Sequence, residues 1–182
     1  MNSFRWIDYL RNKIRIASGN RVTIGKALKM SKTSIKIKGK GNHLIIGERV
    51  KLRSSNIEIF ADNALVSIGA GTMIGHHCHI SVLDHERRIV IGEECGLSRH
   101  VKVMCSDGHP ICQNGKQINE ARDIVLGDHI WIGDSVTILK GVRIGSGSVI
   151  GINATVTRSI PEASIAVGNP AKVVKENITW QP

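Results

Sequence analysis

Eight histidines carry the imidazoles that could move a proton near neutral pH: His43, His76, His77, His79, His85, His100, His109 and His129. His109 differs in its setting, Ser106-Asp107-Gly108-His109-Pro110-Ile111, where Gly108 and Pro110 fix a local turn without side-chain bulk. A histidine so presented suits removal of a proton from a hydroxyl. Asp107, two positions away, offers a carboxylate either to orient the imidazole or to cap the loop. His76, His77 and His79 stand with Cys78 in the run HHCH, which invites a metal reading, against the plainer one that these side chains line an outer groove. Cys78, Cys95, Cys105 and Cys112 form no CxxC pair and read mostly as small buried hydrophobes, so no metal is expected.

The elements that must hold these residues follow from a count of six. Leu126, Ile132, Ile138, Ile144, Ile150 and Val156 are each six residues apart, and glycine follows several of them directly. Neither a helix of 3.6 residues per turn nor simple alternation yields a strict six. Short strands joined by glycine-assisted corners do, with three sides closing one coil of a prism. Ile68, Ile74 and Ile80 keep the count, as do Ile91, Leu97 and Val103. Two insertions break it: Leu83 to Arg87, and the 17 residues from Ser106 to Arg122 that contain His109. Removing the second brings Val103 to Leu126 in a perfect six, so it reads as a loop thrown out of an intact coil, and such loops are usually functional. Before Ile46 the pattern loosens and suggests irregular first coils. Trp131 directly precedes Ile132, a core position, so its indole faces outward and needs a cover: a sugar ring, a cofactor arm or a neighbouring subunit.

At 182 residues the chain forms one domain, and with 3% aromatics its core is built from aliphatics that pack well in stacked β-structure. Residues 3–16 place Phe4, Ile7, Leu10 and Ile14 on one helical stripe. That stripe reads first as a cap on the open end of the coils and second as a basic helix for peripheral membrane contact. Residues 1–20 thus form an N-terminal segment, 21–167 the coils with loop 106–122, and 168–182 a C-terminal segment opened by a Gly168-Asn169-Pro170 turn. Through Phe60 there are 14 Lys and Arg against 3 Asp and Glu, while the rest of the chain is near neutral. A basic end on a neutral body suits an anionic partner. Nucleic acid is excluded as the partner, because there are few rings for bases to stack on. No apolar run reaches the roughly 20 residues of a membrane span, and no signal peptide is evident, so a cytoplasmic location is expected.

The hexads, together with SDGHPI and GDHIWIGDSVTILKGVRIGSGSVIG, resemble the left-handed β-helix acyltransferases of the hexapeptide-repeat family, over about Ile46 to Lys175. Within that family DGHPI, GKQIN, VTILKGV and GNPAKVVKENI with the following Trp180 look most like bacterial O-acetyltransferases of sialic-acid, capsule or lipopolysaccharide sugars. The resemblance implies an all-β, left-handed parallel β-helix with an N-terminal capping helix and a protruding active-site loop. It further implies a homotrimer with active sites between subunits, acetyl-CoA as co-substrate and a carbohydrate acceptor. It places the catalytic base at His109 and an active-site indole at Trp131. By the same resemblance Gly133, Gly151, Ala154 and Thr157 meet the pantetheine arm, and Arg158, Lys172 and Lys175 the nucleotide phosphates. Ile152-Asn153 departs from the two small residues that relatives often carry there, which narrows the groove. The implied reaction is direct transfer of acetyl to a sugar hydroxyl. A small-molecule acetyltransferase of the same fold and a non-catalytic β-helix binding module are the alternatives.

Overall fold

The computed structural model describes residues 4–181. Three parallel sheets make the sides of a triangular prism, and the chain visits them in turn. The first side stacks strands Lys13–Ile16, Ser34–Lys38, Asn56–Phe60, His79–Val82, Lys102–Met104, Thr137–Ile138 and Thr155–Val156. The second stacks Arg21–Ile24, His43–Ile46, Leu65–Ile68, Arg88–Ile91, Ile124–Leu126 and Arg143–Ile144. The third runs from Lys29–Ser31 through Lys51–Arg53, Met73–Ile74, Gly96–Leu97, Trp131–Ile132 and Val149–Ile150 to Ile165–Val167. Strand Lys172–Lys175 then pairs antiparallel with Ile165–Val167 and ends that sheet.

The hexad aliphatics are the core. Ile80, Val103, Ile138 and Val156 stand in register on one side, Ile91, Leu126 and Ile144 on the next, and Leu97, Ile132 and Ile150 on the third. None is more than 2% exposed, and burial of each such side chain contributes roughly 1.5–3 kcal/mol. The glycine after the aliphatic has a steric cause. A Cβ on Gly69 would lie 2.4 Å from the carbonyl carbon of Gly92 in the next coil, far inside contact distance. Cys78, Cys95 and Cys105 face inward as small apolar groups, and burial pushes the Cys78 and Cys105 thiols up to about 11. Cys112 is exposed on the loop.

The first coils are regular, contrary to the looser pattern read from the sequence. Ile24, Ile46, Ile68 and Ile91 form one register column. Here each strand on two sides turns two residues inward, such as Ile35 with Ile37 and Leu44 with Ile46, so a coil needs 22 or 23 residues instead of 18. The wider corner is lined by buried Asn42, whose amide donates to the Lys38 and Ala61 carbonyls at 3.0 and 2.7 Å.

The N-terminal helix is shorter than the stripe over residues 3–16 suggested. It spans Trp6–Arg11, and Lys13–Ile16 is the first strand of the first side. Asn12 makes the break: its side chain donates to the Asp8 carbonyl at 2.8 Å and accepts from the Thr33 amide at 2.9 Å. Phe4 joins the core, whereas Trp6 and Leu10 are 74% and 72% exposed. Residues 1–3 of the expected segment, and Pro182 at the other end, lie outside the described residues. Among the described residues no helix is long and apolar enough to cross a membrane.

Candidate active site

Both insertions leave the prism at the same corner, between the first and second sides. Ser81 pairs with Met104, a step of 23 residues, so residues 83–87 sit one coil from the start of loop 106–122. The loop closes at its mouth, where the Arg122 amide donates to the Cys105 carbonyl at 3.0 Å. It carries a two-stranded hairpin, Cys112–Gln113 with Lys116–Gln117, turned by Asn114 and Gly115 at positive φ. Between the insertions lies a cleft of about 160 Å³ lined by Leu83, Asp84, Ser106, Asp107, Gly108, His109, Pro110, Gln117 and Asn119.

Asn119 organises this loop. Its amide donates to the Asp107 carboxylate at 2.9 Å and to the His109 carbonyl at 2.8 Å, and its oxygen accepts from the Ile111 amide at 2.6 Å. Lys140, from the next coil at the same corner, donates to the Asp107 carboxylate and, at 2.9 Å, to the Asn119 carbonyl. The Lys140 ammonium, with help from Asn119, holds the Asp107 carboxyl below the usual carboxylate range. Of the two uses read for Asp107, the contacts are those of a loop tether; among the described residues it makes no hydrogen bond to the imidazole of His109.

Most other histidines are engaged elsewhere. His43 contacts Thr23 and Arg21, and burial together with Arg21 lowers its pKa. His79 meets Asn56, His85 meets Asp62, and His77 stacks on His100 at 5.1 Å. The HHCH run does not converge, because Cys78 turns into the core while His76 and His77 stay outside. Among the described residues no group of three His, Cys, Asp or Glu side chains forms a metal-sized site. The ring of His109 makes no hydrogen bond among the described residues and is exposed at the cleft.

The remaining site residues fall into two groups on one chain. Thr157 and Arg158 are exposed at the corner that carries the His109 loop. Trp131, 46% exposed, stands on the third side, across the prism from that corner. Gly133, Gly151 and Ala154 occupy the corner after the third side, and Lys172 and Lys175 the strand that ends it. Gly133 and Gly151 have packing reasons of their own: a Cβ would come within 2.8 Å of the Ile152 nitrogen and 2.7 Å of the Val167 side chain respectively. The Ala154 side chain is fully buried and its carbonyl accepts from the Thr137 amide, so it offers a groove neither group.

Sequence reasoning passed over Asp84, Asn119 and Lys140. The last two lie in the segments GKQIN and VTILKGV, and Asn114-Gly115 between two short runs is the hairpin signal that would have shaped the loop. A larger groove, about 730 Å³, lies among the first coils and is lined in part by Arg11, Lys13, Lys32, His77 and His79.

No family model matches the chain. It is similar to the polysialic acid O-acetyltransferase of Neisseria meningitidis, 35% identical over 168 residues that cover 91% of this chain and 77% of that protein. A polysialic acid O-acetyltransferase of Escherichia coli O1:K1 is 37% identical over 117 residues, covering 63% of this chain; the chain spans only 38% of that relative's length. Among solved structures, the polysialic-acid-specific acetyltransferase NeuO superposes with a TM-score of 0.80 at 31% identity, over 94% of this chain and 89% of that one.

Proposed function

The chain belongs to the hexapeptide-repeat acyltransferases of left-handed β-helix fold, together with bacterial polysialic acid O-acetyltransferases, and we propose that it transfers acetyl from acetyl-CoA to a hydroxyl of an acidic surface polysaccharide. The observation that carries this reading is His109, an imidazole with no hydrogen bond among the described residues, presented at a cleft by a tethered loop. A thioester is already activated, so the reaction needs a base, a polarised carbonyl and two substrates held in line. His109 takes the proton of the acceptor hydroxyl as its oxygen attacks the thioester carbonyl. The tetrahedral intermediate collapses with cleavage of the carbon–sulfur bond, and the imidazolium returns the proton to the CoA thiolate. The products are the sugar ester and free CoA, with no acyl-enzyme.

Trp131 supplies a flat wall for the pantetheine arm beside the corner of Gly133 and Gly151, and Arg158, Lys172 and Lys175 are exposed cations for the phosphates. The separation of His109 from Trp131 across the prism supports a homotrimer in which the loop corner of one subunit faces the third side of its neighbour. The excess of 14 basic over 3 acidic residues through Phe60 supports an anionic acceptor.

Replacing His109 with Ala tests the mechanism. Turnover should fall by roughly 10²–10⁴-fold, with CoA binding measured by calorimetry retained. Unchanged turnover would sink the proposal. A weak dependence of acceptor KM on ionic strength would favour a neutral small-molecule acceptor instead.

A further inference from the structure

The C-terminal segment folds back across the third side as a strap. The Ile178 amide donates to the Ala163 carbonyl at 3.0 Å, and the Trp180 ring then stacks on His129 at 4.2 Å, only 8° from parallel. Two further bonds lock the pair: the Trp180 indole N–H donates to the His129 carbonyl at 3.0 Å, and His129 Nε2 lies 3.1 Å from the Trp180 carbonyl. Three contacts between residues 51 apart are more than a chance approach of a chain end.

The same indole lies 6.1 Å from Trp131, tilted by 42°. Trp131 has little else to fix it. Its register partners are Gly96, which has no side chain, and Val149, and among the described residues its own N–H reaches only the Ser98 hydroxyl at 3.4 Å. An outward indole with one bare neighbour would sample several rotamers, and selecting one of them on ligand binding costs affinity. With Trp180 in place that selection is made in advance.

We infer that Trp180 is a positioning residue for acetyl-CoA: held by His129, it fixes the Trp131 ring in the orientation that walls the pantetheine arm. The inference rests on the reading that Trp131 lines the acetyl-CoA groove. No group transfer or proton movement is assigned to Trp180 itself.

The test uses the full chain and its Trp180→Ala, Trp180→Phe, His129→Asn and Trp131→Ala variants, with CoA as the calorimetric probe and steady-state kinetics in acetyl-CoA. Trp180→Ala should raise both the Kd for CoA and the KM for acetyl-CoA by about tenfold, with kcat within a factor of about three. Trp180→Phe retains a ring on His129 and should restore most of the affinity. The tryptophan emission of Trp180→Phe, which leaves Trp131 packed, should be bluer than that of Trp180→Ala, where Trp131 is more exposed. Unchanged CoA affinity in a folded Trp180→Ala protein overturns the inference. If that variant does not fold, His129→Asn, which removes the stacked ring while keeping the strap's sequence, decides: it should weaken CoA in the same direction, and no change overturns the inference. Trp131→Ala separates the two levels. If it leaves CoA affinity intact, the reading of Trp131 fails; if it weakens CoA while Trp180→Ala does not, only the inference fails.

Discussion

Lys140 holds the His109 loop through the Asp107 carboxylate and the Asn119 carbonyl, so of the two uses open to Asp107, orienting the imidazole or capping the loop, the contacts are those of the second. A tether of this kind contributes little to global stability, since the Lys140 and Asp107 side chains are 21% and 39% exposed. Its effect is on placement. Lys140→Met should lower kcat on the order of 10–100-fold, as misplacement of a catalytic group by about 1 Å does, with a nearly unchanged melting temperature. The tether is also sensitive to acid. Asp107 is depressed in the folded protein, so its contribution to loop order is complete above the ordinary carboxylate range and is lost as pH falls through the depressed value. The protection of amides from Ser106 to Asn119 against hydrogen exchange, taken relative to the intrinsic rate at each pH, should therefore fall at acid pH in the native protein and be low at every pH in Lys140→Met. Equal protection in the two proteins at neutral pH would refute the tether.

The loop itself is an insertion that the coil does not need. Its mouth is spanned by the hydrogen bond from Arg122 to Cys105, and Val103 stacks on Ile138 as though the chain were continuous. Deleting residues 106–122 and joining Cys105 to Asp123 should leave the β-sheet circular dichroism and CoA binding in place while abolishing transfer. Loss of the fold would show that the loop stabilises the coil. The hexads made this insertion legible because in the last coils each two-residue strand turns one aliphatic inward every six residues, as Ile132, Ile138 and Ile144 do. The same count failed in the first coils, where strands such as Ser34–Lys38 bury both Ile35 and Ile37 and the corner lengthens around Asn42. The helical stripe ends early for a related reason: Ile14 and Ile16 fit a two-residue alternation equally well, and pairing with Ser34–Lys38 makes them strand.

On the scale of the molecule, the proposed site is divided between two ends of one cross-section, His109 at a corner and Trp131 on the opposite side. Subunit mixing tests whether a neighbour joins them. His109→Ala and Trp131→Ala proteins, each impaired alone, should regain transfer when co-expressed, because hybrids of the proposed trimer would contain some sites with a native His109 from one subunit and a native Trp131 from the next. Hybrids that remain impaired would place both residues' functions within one chain. The basic first coils make one end of the stack positive, and in the proposed reaction an anionic polymer would meet that field before its reacting sugar reached His109.

The prism, its three-sided count, the two insertions and the histidine worth testing first were legible in the order of residues, because repetition makes inward positions periodic and a break in the period visible. It took the folded chain to show that Asp84 joins the cleft, that Asn119 and Lys140 rather than the imidazole take up Asp107, and that Trp180 returns to Trp131. Stacking sets residues 23 or 51 apart side by side, and no local spacing records which corner each coil turns.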